Sequence, residues 1–268
     1  MSKKNADPLT GTAPKEIALS KAPLVRVICQ VRFSEVLLIN REDFIAGFQE
    51  AIRREFPVFR REEVRSVVFG HQGSATDITT KMHWRFFDAK EEWRVSLSTD
   101  FVALETIKYK TRSDFIKRLV SVLEAVKKHI EPSFATRVGI RYLDRVNGEP
   151  LERLQDLLRP EMLGLANTFK SGLIRAMSEA NCEVKEGHLH ARWGRMPSNA
   201  SHDQDNLPPV NEQSWILDID TFKRFEKNME EFDVQKLRKV ASSLATRSYT
   251  FFRWAVTPEF LRYYGGKV

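Results

Sequence analysis

Hydrophobic and polar residues alternate in two registers along this chain, and the clearest stretch lies between residues 81 and 142. Met82, Trp84 and Phe86 alternate with Lys81, His83 and Arg85. After the polar stretch 88–92, Trp93, Val95 and Leu97 alternate with Arg94, Ser96 and Ser98. A period of two buries one face of a strand and wets the other. Two such runs joined by a short polar link predict a hairpin. Residues 101–110 predict a third strand, with Val102 and Leu104 on one side and Ile107 and Tyr109 on the other. The period then changes. Phe115, Leu119, Val122, Val126 and Ile130 recur at steps of three and four, and Ile116, Val120 and Leu123 widen the stripe. Lys117, Arg118, Glu124, Lys127 and Lys128 hold the other side, so the segment reads as an amphipathic helix. Ser113 is its expected N-cap and Pro132 its stop. Residues 134–146 return as a strand, with Val138, Ile140 and Tyr142 opposite Arg137, Gly139 and Arg141.

The flanks extend this pattern. Val25, Val27, Cys29, Val31 and Phe33 form one face of a first strand, with Leu24, Arg26, Ile28, Gln30 and Arg32 on the other. Asn40 is placed to cap a helix over 41–55 that buries Phe44, Phe48, Ala51 and Ile52. Residues 64–71 read as a strand and 70–76 as a loop. Asn147-Gly148-Glu149-Pro150 is a turn and the expected boundary between halves. A short helix follows over 151–158, closed by Pro160, then a hairpin over 173–182 and 184–194. Residues 196–213, with three prolines and little apolar content, predict a long mobile loop. Trp215, Leu217 and Ile219 alternate with Asp218 and Asp220. Asp233 caps a helix with the stripe Val234, Leu237, Ala241, Leu244, Ser248 and Phe251, and Thr257-Pro258 opens a last helix ending near Tyr263.

The order hairpin, strand, long helix thus occurs over 79–131 and again over 173–254. The prediction is an α+β fold: antiparallel sheet or sheets with long amphipathic helices on one face, in two hairpin-strand-helix units. The units are 22–147 and 148–268, preceded by a disordered arm over 1–21.

Composition narrows the setting. The 268 residues are 42% hydrophobic and 29% charged, enough for one large core or two smaller ones. No apolar run approaches the ~18 residues of a membrane span, and the first residues lack the apolar stretch of a signal peptide. Cys29 and Cys182 lie far apart inside predicted strands, which suggests buried thiols in a reducing, cytoplasmic setting. The net charge of +7 suits nucleic acid or an acidic protein as a partner.

Local signatures of chemistry are missing from the sequence. There is no phosphate-cradling glycine loop, no nucleophile elbow and no paired-cysteine zinc spacing. That points away from an enzyme and implies no cofactor, although a catalytic site dispersed in sequence remains an alternative. His188 and His190 share one strand face, as do Asp218 and Asp220. Adjacent strands would bring the four within reach of a divalent ion. A solvated strand face with cross-strand ion pairs is the plainer reading, so no metal is expected. The tryptophans Trp84, Trp93, Trp193, Trp215 and Trp254 sit in apolar registers and belong to a core, not to a base-stacking platform.

Five arginines, Arg26, Arg32, Arg94, Arg137 and Arg141, fall on the polar sides of their strands. They are expected to converge on the helix-free sheet face and to stand exposed there. Guanidinium groups give planar, two-pronged contacts to phosphate or carboxylate, so these are the candidate partner-binding residues.

Several stretches together carry a resemblance. They are Ala22-Pro23-Leu24-Val25 running to Val31-Arg32-Phe33, and Trp93-Arg94-Val95-Ser96-Leu97 followed by Leu104-Glu105-Thr106. Arg137-Val138-Gly139-Ile140-Arg141-Tyr142, Asp218-Ile219-Asp220, and Phe251-Phe252 with Thr257-Pro258-Glu259 complete the set. The pattern resembles a sporadically distributed, uncharacterised bacterial protein family of similar length. Such scattered distribution implies a mobile or anti-phage defence locus; no functional residue carries over. The expected function is a non-enzymatic protein-interaction or accessory protein, docking a protein partner on the sheet face or on the 196–213 loop. The alternative is a nucleic-acid-binding module that uses the arginine face.

Overall fold

A computed structural model describes residues 7–69, 75–169, 172–225 and 230–268. Strand β1 (Leu24–Phe33) leads through a single 3-10 turn into helix α1 (Glu42–Ile52). Four strands follow: β2 (Val58–Phe69), β3 (Ala75–Phe87), β4 (Trp93–Ser98) and β5 (Phe101–Thr106). Helix α2 (Arg112–His129) then leads to β6 (Phe134–Asn147). Short helices α3 (Leu154–Leu157) and α4 (Pro160–Leu163) precede β7 (Ala176–Val184), β8 (Gly187–Met196) and β9 (Ser214–Arg224). The two-residue β10 (Glu230–Glu231), the long α5 (Val234–Ala255) and α6 (Pro258–Tyr263) complete the order. The expected loop over 70–76 falls largely on residues 70–74, outside the described residues.

All ten strands belong to one antiparallel sheet in the order β2-β3-β4-β5-β1-β6-β9-β8-β7, with β10 on the end of β6. The fold is α+β. Its midline is the β1–β6 pair, in register from Val27 opposite Tyr142 to Arg32 opposite Arg137.

Alternation then sorts the side chains. Val27, Cys29 and Val31 of β1, Trp84 and Phe86 of β3, Val95 of β4, Leu104 of β5 and Val138 and Ile140 of β6 pack with α1, α2 and the first half of α5. A second cluster joins Leu189, Trp215 and Leu217 to Phe251, Phe260 and the short helices. Helix α5 spans both, with Leu237 and Leu244 in the first and Phe251 and Ala255 in the second. All six residues of its predicted stripe are buried, and Asp233 caps it by accepting from the Lys236 N–H at 2.7 Å. Trp84, Trp93 and Trp215 are buried as expected.

Several boundaries differ for local reasons. Helix α2 begins two residues early, because Thr111 and not Ser113 caps it: the Thr111 hydroxyl accepts from the Asp114 N–H. Asn40 sits in the 3-10 turn, and Arg41 precedes α1 without a side-chain cap. Ile45 takes the inward place expected of Ala51, which is exposed. β5 stops at Thr106, whose hydroxyl binds the Glu92 carbonyl, so Ile107 turns outward. Pro160 opens α4, where its missing N–H is no loss. Cys29 is buried but Cys182 only half so.

The arm expected to be disordered is, from Asp7 onward, laid against α5. Buried Arg247 donates to the carbonyls of Pro8 (2.9 Å) and Gly11 (3.1 Å) while both its edges engage Glu186. The Ile17 N–H donates to the Tyr249 hydroxyl at 2.8 Å, and Leu9, Ile17 and Leu19 pack on the second cluster. No described helix is long and apolar enough to cross a membrane.

Two consequences follow for stability. Replacing Arg247 with Ala should cost roughly 3 kcal/mol, because Glu186 and two strap carbonyls lose their partner. Replacing the more exposed Arg253, which binds the Lys15 carbonyl, should cost under about 1 kcal/mol in the same urea titration. Asp144 on β6 is 6% exposed and has no hydrogen-bond partner among the described residues. Burial, with a smaller contribution from the nearby Asp218 charge, pushes its carboxyl from 3.8 up to about 7. The folded state therefore binds the extra proton between those values, and the penalty for ionising it is complete above pH 7. Asp144→Asn should match the native protein near pH 4 and exceed it at pH 8 by roughly 4 kcal/mol. Equal stability differences at the two pH values would refute the assignment.

Candidate binding cleft

The sheet face that α1, α2 and α5 leave open carries three cross-strand rows, read off the pairing register. The middle row holds the small residues Ser96, Ala103 and Gly139, with Gln30 among them, side by side across β4, β5, β1 and β6, and Arg85 of β3 and Phe222 of β9 close its ends. One flanking row runs Arg94, Glu105, Ile28, Arg141, Asp220. The other runs Phe101, Arg32, Arg137, Arg224. Small groups between two rows of long ones make a trough, and the resulting cleft holds about 720 Å³.

Its chemistry is arginine and carboxylate. Arg32, Arg85, Arg94, Arg137, Arg141 and Arg224 line it, against Glu105, Asp205 and Asp220. Glu105 takes Arg94 on one oxygen and Arg26 on the other, the latter at 2.6 Å. Arg141 grips Asp218 with two bonds of 2.7 Å and Asp203 with one of 2.6 Å. Burial alone would lower the Arg141 pKa, but these two carboxylates outweigh it and hold the guanidinium above its ordinary value. Asp218 in turn is held below the usual range, because Arg141 and His202 outweigh its burial. Asp220 goes the other way: burial raises it despite Arg137 at 2.9 Å.

Gly139 is needed here for close approach. A Cβ at that position would lie 2.6 Å from Nη1 of Arg137, whose guanidinium folds back across the strand. There it covers the Phe222 ring at 4.5 Å, and Arg224 stands 5.3 Å from the same ring. Arg85 is less well satisfied. It reaches Glu62 at 2.8 Å, yet its buried Nε has no hydrogen-bond partner among the described residues. Burial, and then the neighbouring Arg94 charge, lower its pKa.

The 196–213 segment forms one wall. The expected mobile loop is instead tethered: the Asn206 carbonyl accepts from Arg26, Asp203 from Arg141 and the Pro208 carbonyl from Arg145. Leu207 is buried in a small cluster with Leu143, Met196 and Ile216 on this same face.

The expectation of five free arginines is therefore overturned. Arg26, Arg94, Arg137 and Arg141 keep only 15–20% of their side-chain surface; Arg32, 3.9 Å from Asp100, keeps 49%. The physical reason is that Glu105, Asp203, Asp218 and Asp220 stand within reach of them, which the strand pattern alone does not reveal. Arg26 lies behind Glu105, outside the cleft lining. Arg85 and Arg224, absent from the sequence-based set, belong to it; their place on the polar sides of β3 and β9 was the available signal.

The strands carrying His188, His190, Asp218 and Asp220 are adjacent, with His190 opposite Asp220. Their polar atoms serve protein partners instead of one another. His190 binds Glu179 at 2.5 Å, and Asp218 holds Arg141 and His202. Among the described residues no cluster of three or more His, Cys, Asp or Glu side chains stands in a metal-holding arrangement.

No protein-family model matches the sequence, and no curated protein does either.

Arg141→Ala should cost roughly 3 kcal/mol, since it strands Asp218, which is 5% exposed, beside Asp203. Chemical denaturation measures it. A loss below about 0.5 kcal/mol, as at an ordinary surface site, would show the network to be incidental.

Proposed function

We propose that the protein is a non-enzymatic binding protein that takes an acidic segment of a partner protein into the arginine-lined cleft. The observation that supports this most is that the cleft is lined by six arginines and that the buried Nε of one of them, Arg85, has no hydrogen-bond partner among the described residues. Arginine presents donors in a fork that matches carboxylate geometry. A walled trough of limited length suits a short acidic segment better than a long polyanion.

Nucleic acid is the second reading, favoured by the net charge of +7. The accessory role in a mobile or anti-phage defence locus follows from the family resemblance and adds nothing to the choice of ligand. We also infer that the chain comprises two related units. In each, a midline strand (β1 or β6) is followed by strands that run from the outer edge back to it, then by a long helix (α2 or α5).

Fluorescence anisotropy with a labelled glutamate-rich peptide, single-stranded DNA and duplex RNA separates the readings. The peptide is expected to bind, and Arg32→Glu with Arg224→Glu, both on the exposed rim, should abolish binding with the melting temperature unchanged. Tighter DNA binding with a steep salt dependence would transfer the cleft to nucleic acid. No binding of any of the three would remove the proposal.

A further inference from the structure

A half-open pocket lies on the opposite, helix-bearing face and does not depend on the cleft. It holds about 290 Å³ between the 16–19 strap, α5, β6 and the segment leading into α2. That is near the lower end of volumes that take small ligands. Its walls are largely aromatic and aliphatic: Tyr109, Tyr142, Tyr249 and Phe252 face it together with Leu24 and Ile219. Tyr109 and Tyr142 stand edge to face, with centroids 5.9 Å apart.

One charged group in its lining is both buried and unpaired. Asp144 lines the space, is 6% exposed and has no hydrogen-bond partner among the described residues. Buried carboxyl groups in folded proteins are nearly always hydrogen-bonded or ion-paired. The lining also holds Lys110 and Arg112, neither of them hydrogen-bonded to Asp144; Arg112 instead reaches Glu16 at 2.7 Å and the Thr246 hydroxyl at 2.5 Å. The Ser248 hydroxyl is occupied by Thr221 and the Leu244 carbonyl. Burial pushes the Asp144 carboxyl up, as a charge lacking a counterpart should behave.

We propose that this cavity binds a small organic cation, a primary amine with an apolar or aromatic body, whose ammonium pairs with the Asp144 carboxylate. The ammonium supplies the donors that Asp144 lacks. The aromatic walls attract a cation through their ring faces and cover its body. The Asp144 carboxylate, which has no paired cation among the described residues, disfavours an anionic ligand. The strap over the opening is held on α5 by the Ile17 N–H to Tyr249 and by Tyr249 and Arg253 to the Lys15 carbonyl, a small set of bonds to release for entry.

Isothermal titration calorimetry on the full chain tests this with phenethylamine, 2-phenylethanol and phenylacetate, which share a body and differ in charge. Phenethylamine should bind at least ~10-fold more tightly than the alcohol, and phenylacetate not at all. Asp144→Asn, which keeps the shape and removes the charge, should bring the amine down to the alcohol's affinity. Methyl NMR should show phenethylamine shifting Leu24 and Ile219. Equal binding of amine and alcohol, no binding of the amine, or a preference that survives in Asp144→Asn would each overturn the proposal. Should Asp144→Asn fail to fold, the amine-to-alcohol ratio on the native protein decides alone.

Discussion

The in-register antiparallel pairing of β1 with β6 is the constraint on which the rest depends. It turns two runs of strands into one sheet and fixes which residues share a face. A shift of one residue would carry the arginines of the slipped strand, Arg26 and Arg32 or Arg137 and Arg141, into the helix-covered core and its apolar row, Val27 and Val31 or Val138 and Ile140, into the cleft. Both changes would be ruinous. The register is thereby specified from both sides, by apolar burial on one and by charge on the other.

The charged side does not behave as a solvent face. Removing guanidinium and carboxylate groups from water costs several kcal/mol per ion, and mutual attraction offsets this only with good geometry. Arg141 achieves it with three bonds to two acids, and Glu105 by holding two arginines. Arg85 does not achieve it, since its buried Nε has no hydrogen-bond partner among the described residues. The arginines of this face thus differ in how completely each is matched.

Much of the architecture was legible in the sequence because period reports burial directly. The alternation in β3, β4, β6 and β9 and the stripe of α5 survive with small shifts at their ends. Those ends depend on single side-chain bonds, such as Thr111 over Ser113, that two hydroxyl residues two positions apart cannot settle from sequence. The arm and the 196–213 loop were misread for a different reason. Their anchors are mostly backbone carbonyls bound by distant arginines, and a carbonyl leaves no trace in composition. The arginine face was legible as a face, but not as a network. Pairing Arg141 with Asp203 requires knowing that a segment 62 residues away folds back over it. The Asp144 cavity was invisible, because one acid in an otherwise regular strand gives no signal until its neighbours are known.

The division of the cleft into a small middle row and two long flanking rows has an evolutionary consequence. Depth is set by Ser96, Ala103 and Gly139, while the ion pairs that hold the sheet face together belong to the rows beside them. At Ala103 the two properties are separable: a valine there would raise the floor and leave every arginine with its acid. At Gly139 they are coupled, because any side chain displaces Arg137. Descendants of this sequence can therefore retune the depth of the trough at one end without disturbing their own cohesion. At the other end, changing shape means changing charge.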